Sequence, residues 1–287
     1  MDNFIEVLGL ADMLRAAGLD TSHTNFETGY SILYNRDPAA RSLKEIEDTI
    51  RDYFQSLTIP ATPTIYDYLI LSLRPKDLIA TFNWDPFLYQ AFSRNRRFCD
   101  GPRVSFLHGN VAIGFAINDE KAGPAGWFSK ATGAEFVPTK LLYPVTNKNY
   151  NADAFIRREG ERLQRGLKTA KRMTIFGYGA PDTDVEAVEL MRNAWGDPNE
   201  RNLEQIEIID VQTEDVVRQR WTKFIHTHHY DYGNDYFYSI LHSSHVAPGN
   251  ALCISFCPRL LKKHSKKQIQ SLMSLIPSRR CGNRIDH

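Results

Sequence analysis

The sequence is poor in cysteine, carries almost no net charge and contains no long apolar run. Four cysteines in 287 residues are too few and too unevenly spaced for a disulfide scaffold, so we expect a protein of a reducing cytoplasm. The 35 basic and 34 acidic residues leave a formal charge of +1, which gives no overall attraction to nucleic acid. No uncharged stretch could span a bilayer, and the early acidic residues argue against a signal peptide. We therefore expect a cytoplasmic globular protein without a membrane partner, and nucleic acid is a disfavoured partner.

The apolar content is sufficient for a large core, since 42% of the residues are hydrophobic and 11% are aromatic. The first part of the chain, residues 1–75, has helical spacing of its apolar residues. In "SLKEIEDTIRDYFQSL", Ser42 and Glu45 have the spacing of a capping box, which predicts a helix beginning at Ser42. The first convincing strand is "DLIATF", which follows Pro75.

Strand and helix patterns then alternate as far as "IEIIDV". The strands are "DLIATF", "RVSFLH", "MTIFGY" and "IEIIDV", separated by amphipathic helical segments and one long irregular stretch. This alternation predicts an α/β fold, Rossmann-like, with a mainly parallel sheet and flanking helices. We assign residues 1–242 to this α/β domain, with its helical part at 1–75, and residues 243–287 to a basic C-terminal tail.

Polar or glycine residues follow each of the four strands. Ligands of such folds gather at the carboxyl ends of the strands, so these residues are candidates for one shared site. They are Asn83 and Asp85 after the first strand, His108 after the second, Gly177, Gly179, Asp182 and Asp184 after the third, and Asp210 after the fourth.

Each candidate also has an ordinary structural explanation. Asn83 and Asp85 could form an Asx turn and a helix cap before "PFLYQAF". His108 could be a buried histidine whose hydrogen bonds are satisfied. The glycines could serve only to permit a tight turn, and the two aspartates after them could be helix caps. The agreement among four strand ends is stronger than any single motif.

Three motifs resemble a known family. "IATFNWDPFL", "FLHGN" and "IFGYGAPDTDVEAVELM", in this order within residues 60–230, are similar to the sirtuin-like NAD-binding domains of prokaryotic antiviral defence proteins. The resemblance implies that Asn83 and His108 are the catalytic pair and that Asp85 shapes the nicotinamide and ribose region. It also implies that Gly177, Gly179, Asp182, Asp184 and Asp210 line the ribose and adenosine side.

The same resemblance implies a reaction and two possible roles. The first role is an NAD glycohydrolase, with NAD as its substrate, which releases nicotinamide and depletes NAD. The alternative is a catalytically degenerate interaction or regulatory subunit that does not turn over NAD. Either role allows a homo-oligomer or a partner subunit of a defence system.

The residue types suit cleavage of the bond between nicotinamide and ribose. This cleavage builds positive, oxocarbenium-like charge on the ribose, so the site needs neutral hydrogen-bonding groups and a base near the sugar. Asn83 can donate and accept hydrogen bonds without titrating, and a histidine such as His108 can exchange a proton near neutral pH.

The glycine-rich phosphate loop of the family is missing. Sirtuin-like domains begin with a strand and a Gly-Ala-Gly loop whose amides bind pyrophosphate at a helix N-terminus, and this sequence has no Gly-Ala-Gly. We therefore expect the first strand and the phosphate loop to be missing from the fold, and NAD to bind weakly. Two interpretations remain open, a shortened form of a longer protein or a degenerate relative, and we favour the first.

We expect no metal site. Structural zinc sites need two spaced pairs of ligands, and only Cys253 and Cys257 lie close together. The histidines of "HTHHYDY", His226, His228 and His229, are more simply exposed residues near a sheet edge.

Overall fold

A computed structural model describes residues 4–21, 25–145, 153–179, 185–197, 205–222, 224–225, 230–242 and 251–255, the last range as backbone only. Within these ranges the helices are α1 Phe4–Val7, α2 Ala11–Ala16, α3 Phe26–Arg36, α4 Arg41–Ser56, α5 Ile65–Ser72, α6 Phe87–Asn95, α7 Ala154–Thr169, α8 Val185–Trp195 and α9 Glu214–Trp221. The strands are β1 Leu78–Thr81, β2 Arg103–Phe106, β3 Ile113–Ala116, β4 Lys121–Pro124, β5 Val137–Pro138, β6 Arg172–Phe176, β7 Gln205–Ile209, β8 Tyr230–Gly233 and β9 Ala251–Ser255.

The main sheet has six strands in the order β2-β1-β9-β6-β7-β8, and every pairing in it is parallel. Helices α6, α7, α8 and α9 lie between successive strands in the chain, as parallel connections require. The predicted α/β fold with a mainly parallel sheet and flanking helices is confirmed.

The centre of this sheet comes from an unexpected part of the chain. We expected the fold to lack the first strand of the family, and the strand that lies between β1 and β6 is β9, from much later in the chain. Residues 251–255 fall in the stretch that the sequence analysis placed in the basic tail. The local pattern did not reveal this strand because its five residues, "ALCIS", are a short run beside a strongly basic segment.

The stretch after β2, which the sequence pattern left irregular, contains a second, antiparallel sheet of β4, β3 and β5. Gly114 and Gly123 permit its close packing, because a Cβ on Gly114 would lie 2.1 Å from the carbonyl oxygen of Phe136, and one on Gly123 would lie 2.5 Å from the Phe136 ring.

The predicted capping box at Ser42 is wrong. Helix α4 begins at Arg41, its N-cap is Ala40, and no side chain caps it. A capping box is present instead at α5, where Thr64 and Asp67 exchange hydrogen bonds between side chain and backbone. Asp67 also receives hydrogen bonds from Arg94 and Asn95, so this helix start is tied to α6.

Two groups of buried apolar residues form the core. The larger lies around the main sheet, and the smaller joins α2, α3 and α4 to the backs of the turns that follow β1 and β2. Trp84 makes this connection, since its ring packs against Phe54 of α4 at 6.0 Å and Tyr143 at 5.0 Å between centroids. The helical region thus supports the turn that carries Asn83 and Asp85. Among the described residues, the helices are all too short or too polar to cross a membrane.

Candidate functional site

The candidate residues of four strands meet at one edge of the main sheet. The register aligns Phe106 of β2, Thr81 of β1, Ser255 of β9, Phe176 of β6 and Ile209 of β7 in a single row. Because the strands are parallel, the residues that follow this row all leave the sheet on the same side. The structure therefore brings Asn83, His108, Gly177 and Asp210 to the carboxyl edge.

Asn83 and Asp85 are both buried, with exposed fractions of 6% and 8%. The Asp85 carboxylate accepts the backbone N–H of Phe87 at 3.0 Å, which is an Asx turn at the start of α6. Burial raises the pKa of Asp85 from 3.8 to about 6, and hydrogen bonds from the Phe87 backbone and the Asn83 side chain offset part of that rise. The Asn83 amide also lies 3.5 Å from the hydroxyl of Tyr66. The Asx-turn explanation therefore holds for Asp85, yet the turn places a carboxyl group with an elevated pKa beside the amide.

His108 is buried at 5% exposure and lies on an aromatic base. Its ring packs edge-on against Phe82, with centroids 4.8 Å apart, and Phe82 stacks on Tyr178 at 4.4 Å. Tyr178 in turn packs edge-on against Trp221 of α9. This row of packed rings links the turn after β2 to the turn after β6 and holds the imidazole of His108 in place.

Sequence reasoning did not identify a role for Asn110, which the structure places between the two turns. Its side chain is fully buried, and its Nδ2 donates to the carbonyl oxygens of Asn83 at 3.3 Å and Asp85 at 2.6 Å. Its Oδ1 accepts the N–H of Ala112 at 3.0 Å. No local pattern identifies this role, because the two carbonyl oxygens lie 27 and 25 residues earlier in the chain.

Gly109 is required between His108 and Asn110. Its φ is +75°, a region that favours glycine, and a Cβ there would lie 2.0 Å from the carbonyl oxygen of Lys140. The tight turn after β2 therefore depends on a glycine at this position.

Gly177 and Gly179 follow β6, and Asp210 follows β7. Gly177 has a φ of +65° and donates its N–H to the carbonyl of Ile209, so it closes the turn against β7. Asp210 is buried and accepts the N–H of Gln212 at 2.8 Å, which is a second Asx turn. Gly179 lies beside α9, where its carbonyl accepts a hydrogen bond from Arg220.

Some predicted residues lie outside the described part of the chain. Asp182 and Asp184 belong to this group, as do His226, His228 and His229, and Cys257. Over the ranges that the structure covers, no three His, Cys, Asp or Glu side chains form a group that could hold a metal ion.

Comparison with solved structures gives similarities to Sir2 proteins. One, from work on the mechanism and regulation of Sir2 enzymes, has a TM-score of 0.37 and 12% identity, covering 76% of this chain and 97% of that one. A mutant Sir2 homologue in complex with ADP-ribose has a TM-score of 0.36 and 15% identity, with 74% and 89% coverage. A Sir2 complex with a p53 peptide and NAD+ has a TM-score of 0.34 and 15% identity, with 74% and 88% coverage. No protein-family model and no curated protein matches the sequence. The strand order and the parallel pairings, rather than these TM-scores, establish the fold class.

Proposed function

We propose that the protein is an NAD glycohydrolase that cleaves the bond between nicotinamide and ribose. The observation that carries this proposal is the meeting of a buried amide, a buried carboxyl and a buried imidazole at the ends of β1 and β2, on Asn83, Asp85 and His108. Buried polar groups at the carboxyl edge of a parallel sheet are typical of a ligand site.

Each group has a distinct part in the proposed reaction. His108 accepts a proton from the attacking water or from a ribose hydroxyl, and Asn83 orients that water or hydroxyl. Asp85, with its pKa raised to about 6, is mostly ionised at neutral pH. A carboxylate in a poorly solvated position favours a cationic partner, and both the nicotinamide ring of NAD and the oxocarbenium-like ribose are positively charged.

The resemblance of the three motifs to defence proteins supports NAD depletion as the outcome, and a homo-oligomer or a defence-system subunit as the partner. The competing role is a noncatalytic interaction subunit. Absence of NAD binding by the purified protein would favour that role.

The test is incubation of the purified protein with millimolar NAD, following nicotinamide release by chromatography. We expect Asn83→Ala and His108→Ala each to abolish release while the far-UV spectrum stays close to that of the wild type and unfolding stays cooperative, at a lower temperature because both side chains are buried. Asn118→Ala, at an exposed asparagine between β3 and β4, is the matched control and should release nicotinamide normally. Turnover retained in both site variants refutes the catalytic assignment, and a wild-type protein that releases no nicotinamide favours the noncatalytic role.

The pH profile provides a second test of the part played by Asp85. If the ionised carboxylate stabilises the cationic substrate, kcat/KM should fall as the pH drops through about 6. In Asp85→Asn this acidic limb should become less steep, because one of the two groups whose protonation lowers the rate, Asp85 and the general base His108, has been removed. An unchanged profile in that variant would remove Asp85 from the proposed mechanism.

A further inference from the structure

The C-terminal end of α9 is tied to the turn after β6 by two consecutive side chains. Trp221 is fully buried, and its indole N–H donates to the carbonyl oxygen of Tyr178 at 3.3 Å. Arg220, the preceding residue, donates from Nη1 to the carbonyl oxygen of Gly179 at 3.0 Å. The buried indole fixes the end of the helix, so the guanidinium is held at the carboxyl edge of the sheet although it is exposed.

Because Gly179 has no side chain, two hydrogen-bond donor groups can lie close to its Cα. A Cβ on this residue would lie 2.8 Å from Nη1 of Arg220 and 3.6 Å from the side-chain nitrogen of Gln212. The backbone of Gln212 is itself held, because its N–H donates to Asp210 and its carbonyl accepts the hydroxyl of Tyr232. We call Gly179, Gln212 and Arg220 the Gly179 donor cluster.

The charge of this cluster is not neutralised by its described neighbours. On the same helix, Asp215 pairs with Arg218 at 3.6 Å, and Glu214 accepts the hydroxyl of Tyr230. No carboxylate in the described ranges forms an ion pair with Arg220. An arginine in the last turn of a helix often serves only to complement the helix dipole. Here a guanidinium N–H of Arg220 donates to a backbone carbonyl in the turn after β6. The other guanidinium N–H groups therefore lie at the carboxyl edge of the sheet.

We propose that the Gly179 donor cluster binds the diphosphate of a dinucleotide. The inference rests on the proposed function for the identity of the ligand. Guanidinium groups bind phosphate oxygens through charge-assisted, often bidentate hydrogen bonds. One strand, β9, separates β1 from β6, which is roughly 10 Å at the usual strand spacing. A dinucleotide with its nicotinamide ribose at Asn83 therefore extends along the edge toward Gly179.

The test compares Arg220→Gln with Arg218→Gln, an equal change of charge two residues away on the same helix. Calorimetry with ADP-ribose should show an affinity ten- to a hundredfold weaker in Arg220→Gln, as expected for the loss of a charge-assisted hydrogen bond. The affinity of Arg218→Gln should equal that of the wild type. Arg220→Lys keeps the charge without the planar fork and should show an intermediate loss. Adenosine, which has no phosphate, should bind all four proteins equally.

Equal ADP-ribose affinity in Arg220→Gln and the wild type overturns the inference. An Arg218→Gln variant that loses as much affinity as Arg220→Gln also overturns it, because the effect would then come from the overall positive charge of the helix and not from a contact made by Arg220. Failure of the wild type to bind millimolar ADP-ribose also overturns it. A lowered thermal transition with unchanged affinity would show that Arg220 has a structural role only. Binding is measured separately from turnover, so ADP-ribose binding that depends on Arg220, without nicotinamide release, refutes the hydrolase and leaves the phosphate site in place.

Discussion

Replacing Asp85 with asparagine should stabilise the protein at alkaline pH. Burial raises the pKa of this carboxyl from 3.8 to about 6, so the folded state favours the neutral form. The pKa rises by about two units, and each unit corresponds to about 1.4 kcal/mol. At a pH above both pKa values, the ionised Asp85 therefore lowers the free energy of unfolding by about 3 kcal/mol. An amide removes this cost and can still accept the N–H of Phe87 through its oxygen.

The sign of the pH dependence distinguishes this mechanism from a general effect of charge. Between pH 3.8 and about 6 the folded protein holds a proton on Asp85 that the unfolded chain releases, so wild-type stability falls as the pH rises through this window. In urea unfolding, Asp85→Asn should therefore gain roughly 1–3 kcal/mol at pH 8 and almost nothing at pH 4. Asp52→Asn, at an exposed position on α4, corrects for the loss of one negative charge.

A gain of the same size at both pH values, or a clear loss of stability at pH 8, would refute the reasoning about burial. If the gain at pH 8 is accompanied by loss of nicotinamide release, the wild-type protein keeps an unfavourable buried carboxylate because the reaction requires it.

Three further predictions concern the frame of the site. Gly109→Ala should lower the free energy of unfolding by at least about 2 kcal/mol more than Gly126→Ala, since both positions have positive φ but only Gly109 has a carbonyl 2.0 Å from the new Cβ; equal losses in thermal melts would contradict this. Asn110→Asp should lower the free energy of unfolding in urea by about 3 kcal/mol or more, because two carbonyl oxygens lose their hydrogen-bond donor, whereas Asn118→Asp at an exposed position should lower it little. Equal losses in the two variants would show that the two hydrogen bonds from the Asn110 amide do not stabilise the fold. A chain of residues 1–250 should lose the cooperative thermal transition that a chain of residues 1–255 retains, since only the longer one contains β9 between β1 and β6; equal transitions in the two chains would show that β9 is dispensable.

The sequence predicted those features whose signal is local. The apolar runs of β1, β2, β6 and β7, and the polar residues directly after them, follow from alternating patterns a few residues long. The joint placement of Asn83, His108, Gly177 and Asp210 followed from parallel pairing alone.

What the sequence did not predict depends on contacts between distant segments. β9 pairs with β1 although Leu78 and Leu252 lie more than 170 residues apart, and the five residues of β9 carry no sign of that partner. Asn110 bonds to carbonyl oxygens 25 and 27 residues earlier in the chain, which composition does not reveal. The cap of α4 was assigned wrongly because a serine and a glutamate at the right spacing are common in helices, and Arg41 begins the helix one residue earlier.

The central position of β9 also sets the order in which the protein can be completed. During synthesis, β1 and β6 leave the ribosome long before residues 251–255, so their facing edges have no strand between them for much of translation. Unpaired edges of this kind attract other strands, including those of neighbouring chains. Long-range parallel pairing is intrinsically slow, so sheet closure should be the late step of folding. A chaperone that shields these edges should therefore raise the yield of correctly folded protein more than one that acts on the finished fold.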